Sequence, residues 1–377
     1  MSPTLVSGSL FGVHPKYQSP KVTNLHSREG LDLLYRKVLS AVARAQGFSE
    51  TATELLQVTV APEAWEEVER VTRHETAAYV EVLRSLVQRP HEVYLGLTSS
   101  DLQDTAEAVA WQLLLSELRR PVQQVLRKLV AADPGDRVAR THGVSTHERV
   151  PVKSLYARAA RDLLSSFTQL ANLRLRANLS GPVGEFSEFL SLEQAVNAAK
   201  SLDLELDYDS TQTADRHRLA EVAFNLAQLV GVYEQLATYH RLSAVVGEHR
   251  EVFAVGEQKG SSSLPHKRNP LTSEQVCGLA RVARSNLSAL LETAHTQWWE
   301  RDLTNSSVER TAWLDLQHLT FYLSELFAGF DFDSGWTPES NLPYYEVESP
   351  FHELNRRLVA GEHPEAVYRE VQRRSFW

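Results

Sequence analysis

The segment from Gly256 to Pro270 is the chemically densest stretch of the sequence. Two glycines, two prolines and the consecutive hydroxyls of Ser261, Ser262 and Ser263 stand beside Lys259, Lys267, Arg268 and Asn269. Gly and Pro at this density stop a helix, so a loop is expected between the helical stretches on either side. Its hydroxyls, backbone amides and cations could close over a dianionic substrate and offer donors to negative charge as it develops. The GxxxxGK[ST] order of a P-loop is missing. On residue chemistry alone, the other reading of this loop is a solvated hinge.

Two histidines sit among polar neighbours suited to proton transfer: His142 in Arg140-Thr141-His142-Gly143, and His74 in Thr72-Arg73-His74-Glu75. Imidazole changes charge near neutral pH, which is what a general acid needs. For His142 the plain alternative is a buried histidine with satisfied hydrogen bonds. Thr98, Ser99 and Ser100 precede a helical stretch at Asp101, and Asp101 could equally serve as a helix N-cap. HExxH is absent and no His/Asp/Glu cluster has ligand spacing, so neither a metal nor a cofactor is expected.

Long helices must position these groups. Arg216 to Val255 contains no proline, and Leu219, Val222, Ala223, Leu226, Leu229, Val230 and Tyr233 recur at spacings of three and four, the mark of one apolar helix face. Ser27–Gln88 (interrupted near Val60–Pro62), a block from Asp101 through Pro121 to about Ala132, Val152–Leu179, Leu271–Gln297 and Ser307–Phe327 read the same way. Isoleucine is absent and β-branched alternation is scarce, so the chain is expected to be all-α. Helices of this length suit a bundle whose extra apolar faces meet other subunits. The first 25 residues, rich in Gly, Pro and Ser, read as an extended arm. The expected domains are 1–92 (helical, with the arm), 93–330 (long-helix bundle with the loop 256–270) and 331–377 (short, with one amphipathic helix at Pro364–Arg374).

At 377 residues and a net charge of −9, the chain lacks the basic excess of a nucleic-acid binder. The single cysteine, Cys277, rules out an intrachain disulfide. No apolar run reaches the roughly 20 residues that span a bilayer, and the N-terminus lacks the basic start and apolar core of a secretory signal. A soluble cytoplasmic protein is expected, without a nucleic-acid or membrane partner.

The loop Gly260-Ser-Ser-Ser-Leu-Pro-His-Lys-Arg-Asn-Pro270 resembles the GSSxMPxKxNP signature of the fumarase/aspartase superfamily. It departs at Leu264, where Met is usual, a volume-conserving exchange. Further segments resemble the family in the same order: Thr72–Tyr79 its TxHDVxAF, Gly96–Asp101 with Asp104-Thr105 its GLTSSDxxDT, and Arg140–Gly143 its RTHG. Thr211-Gln212 with Asp215–His217 resembles TQ…DRH, Trp298–Asp302 resembles WHERD, Ser306–Arg310 resembles SSVER, and Lys16-Tyr17 stands in place of an Arg-Tyr pair. Within the superfamily the pattern is most similar to the adenylosuccinate lyases.

The resemblance implies a three-domain fold with a central long-helix bundle. It implies a homotetramer with a twenty-helix core, whose active sites draw residues from three subunits. It further implies a β-elimination that releases fumarate from a small anionic substrate bearing a succinyl group on nitrogen. Ser261 would be the general base, its alkoxide stabilised by loop amides and Lys267; His142 would be the general acid, oriented by Glu274; His74 would assist near the leaving group. Thr98, Ser99, Ser100, Asp101, Thr141, Gln212, Ser262 and Asn269 would hold the carboxylates and the succinyl group. Lys16, Tyr17, Arg301, Ser306 and Arg310 would form a 5′-phosphate site. Several positions depart from the family pattern: Tyr94, Asn305 and Trp299 replace histidines, Glu75 replaces Asp, and Glu185 stands where a small hydroxyl is expected. Two alternatives follow: a sister lyase with a different N-substituted aspartate or succinate, and a catalytically silent scaffold.

Overall fold

A computed structural model of the chain describes residues 12–142, 149–253, 269–299 and 301–336. After a 3-10 turn at Pro15–Tyr17 come α1 (Pro20–His26), α2 (Arg28–Ala45), α3 (Ser49–Leu55), α4 (Pro62–Thr72) and α5 (Glu75–Ser85). Next are α6 (Ser99–Ala131), the strands β1 (Val138–Arg140) and β2 (Arg149–Pro151), α7 (Val152–Asn172) and α8 (Leu192–Ser201). The series continues with α9 (Arg216–Val245), α10 (Leu271–His295) and α11 (Leu303–Val308), which passes through a π-helical turn, Glu309–Trp313, into α12 (Leu314–Gly329). The all-α expectation holds: among the described residues the one sheet is the antiparallel pair β1–β2, with Ala139 opposite Val150.

Several boundaries differ from the sequence reading. Part of the expected arm is helical, because Pro20 occupies the first helical position, where its fixed φ and missing N–H are harmless. Ser19 N then donates to His318 Nδ1 at 3.0 Å, tying this helix down. Between Ser27 and Gln88 the chain also breaks at Gly47 (φ +94) and at Arg73 (φ +53), whose N–H donates to Glu69 O to close α4. Finally, α9 ends at Val245, because Gly247 at φ +75 turns the chain so that Glu248 meets β1 and β2. The segment around Pro364–Arg374 lies outside the described residues.

The described residues pack as two compact units. The first comprises residues up to Gln124 with Leu164–Gly231 and Leu279–Ala328; the second comprises Val125–Leu163, Val232–Gly278 and residues from Gly329. Helices α6, α7, α9 and α10 contribute residues to both, as does α12 through its last residue, Gly329. In the first unit the rings of Tyr35, Trp65 and Tyr79 meet at centroid distances of 4.7–6.0 Å. Beside them Asp32, 1% exposed, accepts from Tyr79 Oη (3.0 Å) and Val60 N (3.3 Å) and pairs with Arg36 at 2.9 Å. That buried charge is therefore matched by donors, as the cost of burial requires. None of the described helices is long and apolar enough to cross a membrane.

The second unit is built around two buried imidazoles. The rings of His240 and His249 stack at 4.6 Å, with Phe330 stacked on His240 at 4.9 Å and Trp336 against His249 at 4.7 Å. Tyr156 Oη lies 3.3 Å from His240 Nε2 and accepts from Trp336 Nε1 at 3.0 Å. Burial lowers the pKa of His240 well below the ordinary imidazole value and that of His249 to about 4. Both are neutral when folded, whereas an unfolded histidine takes a proton near pH 6.5. The unfolded chain therefore binds more protons below that pH, so stability is full above about pH 6.5 and falls as pH drops toward 4. Urea denaturation of His249→Phe should show a shallower loss over that window, by up to about 1.4 kcal/mol per pH unit.

Candidate active site

The turn before α6 is shaped by backbone demands. Gly96 adopts φ +77, and a Cβ there would lie 3.1 Å from Phe189 Cβ and 3.2 Å from Leu190 Cβ, so only glycine fits without strain. Thr98 and Asp101 cap the helix reciprocally: Thr98 N donates to Asp101 Oδ2 at 2.6 Å, and Asp101 N donates to Thr98 Oγ1 at 3.4 Å. Gly181 N donates to the other oxygen of Asp101 at 3.0 Å. Asp101 is wholly buried, and burial pushes its carboxyl up to about 6. With both oxygens held by backbone amides, it ties the 98–101 turn to Gly181. Thr98, rather than Asp101, is the residue that precedes the helix as its cap.

A cavity of about 330 Å³ opens in the first unit. Ser100, Arg301, Ser306 and Arg310, four of the sequence-derived site residues, line it together with Glu75, Asp104, Arg216 and Glu309. Arg216, the arginine of the DRH segment, grips Asp104 with both terminal nitrogens (Nη1–Oδ2 3.1 Å, Nη2–Oδ1 3.0 Å). It also meets Glu309, with Nη2 donating to Oε2 at 3.3 Å and Nε 2.7 Å from Oε1. Burial works against its charge, but the two carboxylates more than offset this and raise its pKa above the ordinary guanidinium value. Burial likewise pushes the Glu309 carboxyl up, while Arg216 holds it down.

Glu309 opens the π-helical turn, and the extra residue of a π-turn re-aims the side chains beside it. Here Glu309 points to Arg216, while its neighbour Arg310 meets Glu75 at 2.7 Å. Arg301 and Arg218 also line the cavity without an ion pair among the described residues, and Arg301 is the more exposed of the two.

In the second unit, the β1–β2 hairpin presents Thr141 and His142 just after β1. Glu248, 2% exposed, secures it: Arg140 N donates to Glu248 Oε2 at 3.1 Å, and the guanidiniums of Arg140 and Arg149 lie 3.4 and 3.3 Å from Oε1. His142 is exposed with φ +57. Glu274 is also exposed, in the first turn of α10, and makes no contact with His142 among the described residues. Asn269 stands just ahead of α10, whose start is capped by Glu251: Thr272 N and Ser273 N donate to its two oxygens at 2.9 and 2.8 Å. Ser261, Ser262 and Lys267 lie outside the described residues.

His74 is the N-cap of α5, its Nδ1 accepting from Ala77 N at 3.3 Å, which places the proton of the neutral ring on Nε2 as a hydrogen-bond donor. Gln212 O accepts from Asn178 Nδ2 at 2.9 Å. Lys16 and Tyr17 do not line the cavity; Tyr17 packs edge-on against Tyr322 at 5.3 Å.

The departures from the family pattern have local accounts. Asn305, 3% exposed, donates to Gln297 Oε1 at 3.3 Å, and Gln297 in turn donates to Thr213 Oγ1. Tyr94 takes φ +67, and its hydroxyl pKa is raised by burial and by the nearby Asp101 charge. Trp299 (87% exposed) and Glu185 both face solvent. Sequence reasoning assigned no role to Arg216, Asp104 or Glu309. Each lies within a motif segment already singled out, and position within those segments was the available signal.

The adenylosuccinate lyase of Methanocaldococcus jannaschii is 30% identical over 351 residues, which is 85% of this chain and 74% of that protein. The chain belongs to the fumarase/aspartase superfamily of lyases. The adenylosuccinate lyase of Synechocystis sp. is 34% identical over 267 residues, 68% of this chain, and the match spans only 61% of that relative's length. The fold of a fumarate lyase from Mesorhizobium sp. BNC1 superposes with a TM-score of 0.76 at 18% identity, covering 95% of this chain and 86% of that one. No family model matches the sequence.

The Arg216 clasp can be tested by stability. Arg216→Met removes the shared cation from Asp104 and Glu309, whose side chains are only 13% and 19% exposed, and should cost up to about 3–5 kcal/mol in chemical denaturation. Arg216→Lys keeps the charge but not the fork, and should cost less.

Proposed function

We propose that this superfamily member catalyses β-elimination of fumarate from an N-succinyl substrate, with adenylosuccinate (yielding AMP) and the succinylated imidazole carboxamide ribotide as its substrates in purine biosynthesis. The carrying observation is that Ser100 and, from a segment far along the chain, Arg301, Ser306 and Arg310 line one cavity. Hydroxyls and guanidiniums so gathered suit an anionic substrate, since planar Arg donors match phosphate and carboxylate oxygens.

In this reading Ser261 removes the proton next to a carboxylate, and Lys267 and Asn269 stabilise the resulting aci-carboxylate. His142, steered by Glu274, protonates the departing nitrogen, with His74 assisting. Ser262, Thr98, Ser99, Thr141 and Gln212 hold the succinyl group. Following the family resemblance, we assign the complete site to a homotetramer. The exposed apolar side chains of Leu164, Phe224, Leu242 and Val245 on the long helices support assembly.

A second reading, a sister lyase with a different N-substituted aspartate, is favoured by one observation. Three of the cavity arginines, Arg176, Arg216 and Arg310, already face carboxylates.

Fumarate release from adenylosuccinate, followed by ultraviolet absorbance, tests the proposal. The wild-type protein should turn over and Ser261→Ala should lose about 10²–10⁴-fold in kcat, the range for removing a general base. A folded wild type without turnover would refute the substrate, and an undiminished Ser261→Ala rate would refute the mechanism. Sedimentation at decreasing protein concentration should show activity lost in step with the tetramer.

A further inference from the structure

Arg310, assigned above to the phosphate, already has a partner. Its Nη2 lies 2.7 Å from Glu75 Oε2, and both residues line the same cavity. The two are unequally held: the Arg310 side chain is 59% exposed and that of Glu75 18%. Glu75 opens α5, where the unpaired amides of a helix N-terminus favour negative charge, and its carbonyl accepts from Trp65 Nε1 at 2.9 Å. Its second oxygen, Oε1, is 3.4 Å from Arg28 Nη1. Arg28 is itself fixed by Glu69 at 2.5 Å and by the Trp65 ring, 4.3 Å from its guanidinium carbon. When Arg310 leaves, Glu75 therefore keeps a cation and a helix terminus. Arg310 has no second carboxylate within ion-pair distance among the described residues.

We propose that Glu75 is a specificity-determining residue that competes with the substrate's phosphate monoester for Arg310. A phosphate dianion takes Arg310 over, and Glu75 falls back on Arg28. This rests on the assignment of Arg310 as a phosphate contact. A ligand carboxylate offers Arg310 no more than Glu75 already supplies, whereas a phosphate dianion brings about twice the charge and a matching set of acceptors. The exchange thus selects for phosphate at this end of the cavity. Glu, one methylene longer than the Asp of the family pattern, has the reach to make the pair.

Isothermal titration calorimetry of the full chain with inorganic phosphate, and separately with AMP, tests this. Glu75→Gln should tighten both by about two- to fivefold, the range a part-exposed ion pair is worth. Glu107→Gln, which removes a cavity carboxylate not paired with Arg310, should change them by less than about twofold. Arg310→Ala should weaken both, and in that background Glu75→Gln should tighten neither. Unchanged affinity in Glu75→Gln, with Arg310→Ala still weakening, would overturn the competition and leave the phosphate assignment standing. Equal tightening by Glu107→Gln would reduce the effect to the general field of the cavity and overturn it as well. If Arg310→Ala has no effect on either ligand, or neither binds, the phosphate assignment falls and the competition with it.

Discussion

The guanidinium of Arg216 holds three distant parts of the chain at one point. It stands at the first position of α9, grips Asp104 on α6 and meets Glu309 at the π-turn before α12. Two of those elements also carry a candidate substrate residue close by: Ser100 on α6 and Arg310 on the π-turn. A largely buried cation carries a desolvation cost that its two carboxylates offset, and removing a partner leaves that cost unmet. The cavity wall is therefore specified by charge matching, whereas the helices around it are held by apolar packing, which tolerates substitution of similar volume.

The same logic sorts the cavity's ionisable groups by availability. Arg216 is engaged on both sides and acts as a fastener. Asp101, with both oxygens on backbone amides, is likewise part of the frame. Arg310 is half engaged and largely exposed, and Arg301 carries no ion pair among the described residues. A gradient from buried and paired to exposed and unpaired separates residues that hold the site from residues open to a ligand. In the second unit the hairpin bearing His142 follows the same plan, since the buried carboxylate of Glu248 faces two arginines while His142 stands exposed.

Much of this was legible in the residues. Periodic apolar spacing marked the long helices, because burying one face of a helix requires it. The sequence from Leu219 to Tyr233 reads as such a face, and α9 contains it. Helix ends were less legible. The stop at Val245 depends on Glu248 finding Arg140 and Arg149, partners more than ninety residues away in sequence. Arg73 closing α4 in a left-handed conformation lies in a stretch whose pattern read as helix, and Pro20 opening α1 lies in one whose composition read as arm.

By itself, the sequence determined the helical class, the family and the chemical types gathered in its motifs, because periodicity and motif identity are local properties of the chain. Tertiary structure decided which of those residues are spent on holding the site together. Asp101, Asp104, Arg216 and Glu309 sit in the same motifs as the candidate ligands and carry the same kinds of charge. Only their burial and their partners across the fold set them apart. The pairing of Glu75 with Arg310 is of this kind too: 235 positions separate them in the chain, and 2.7 Å separates their charged atoms.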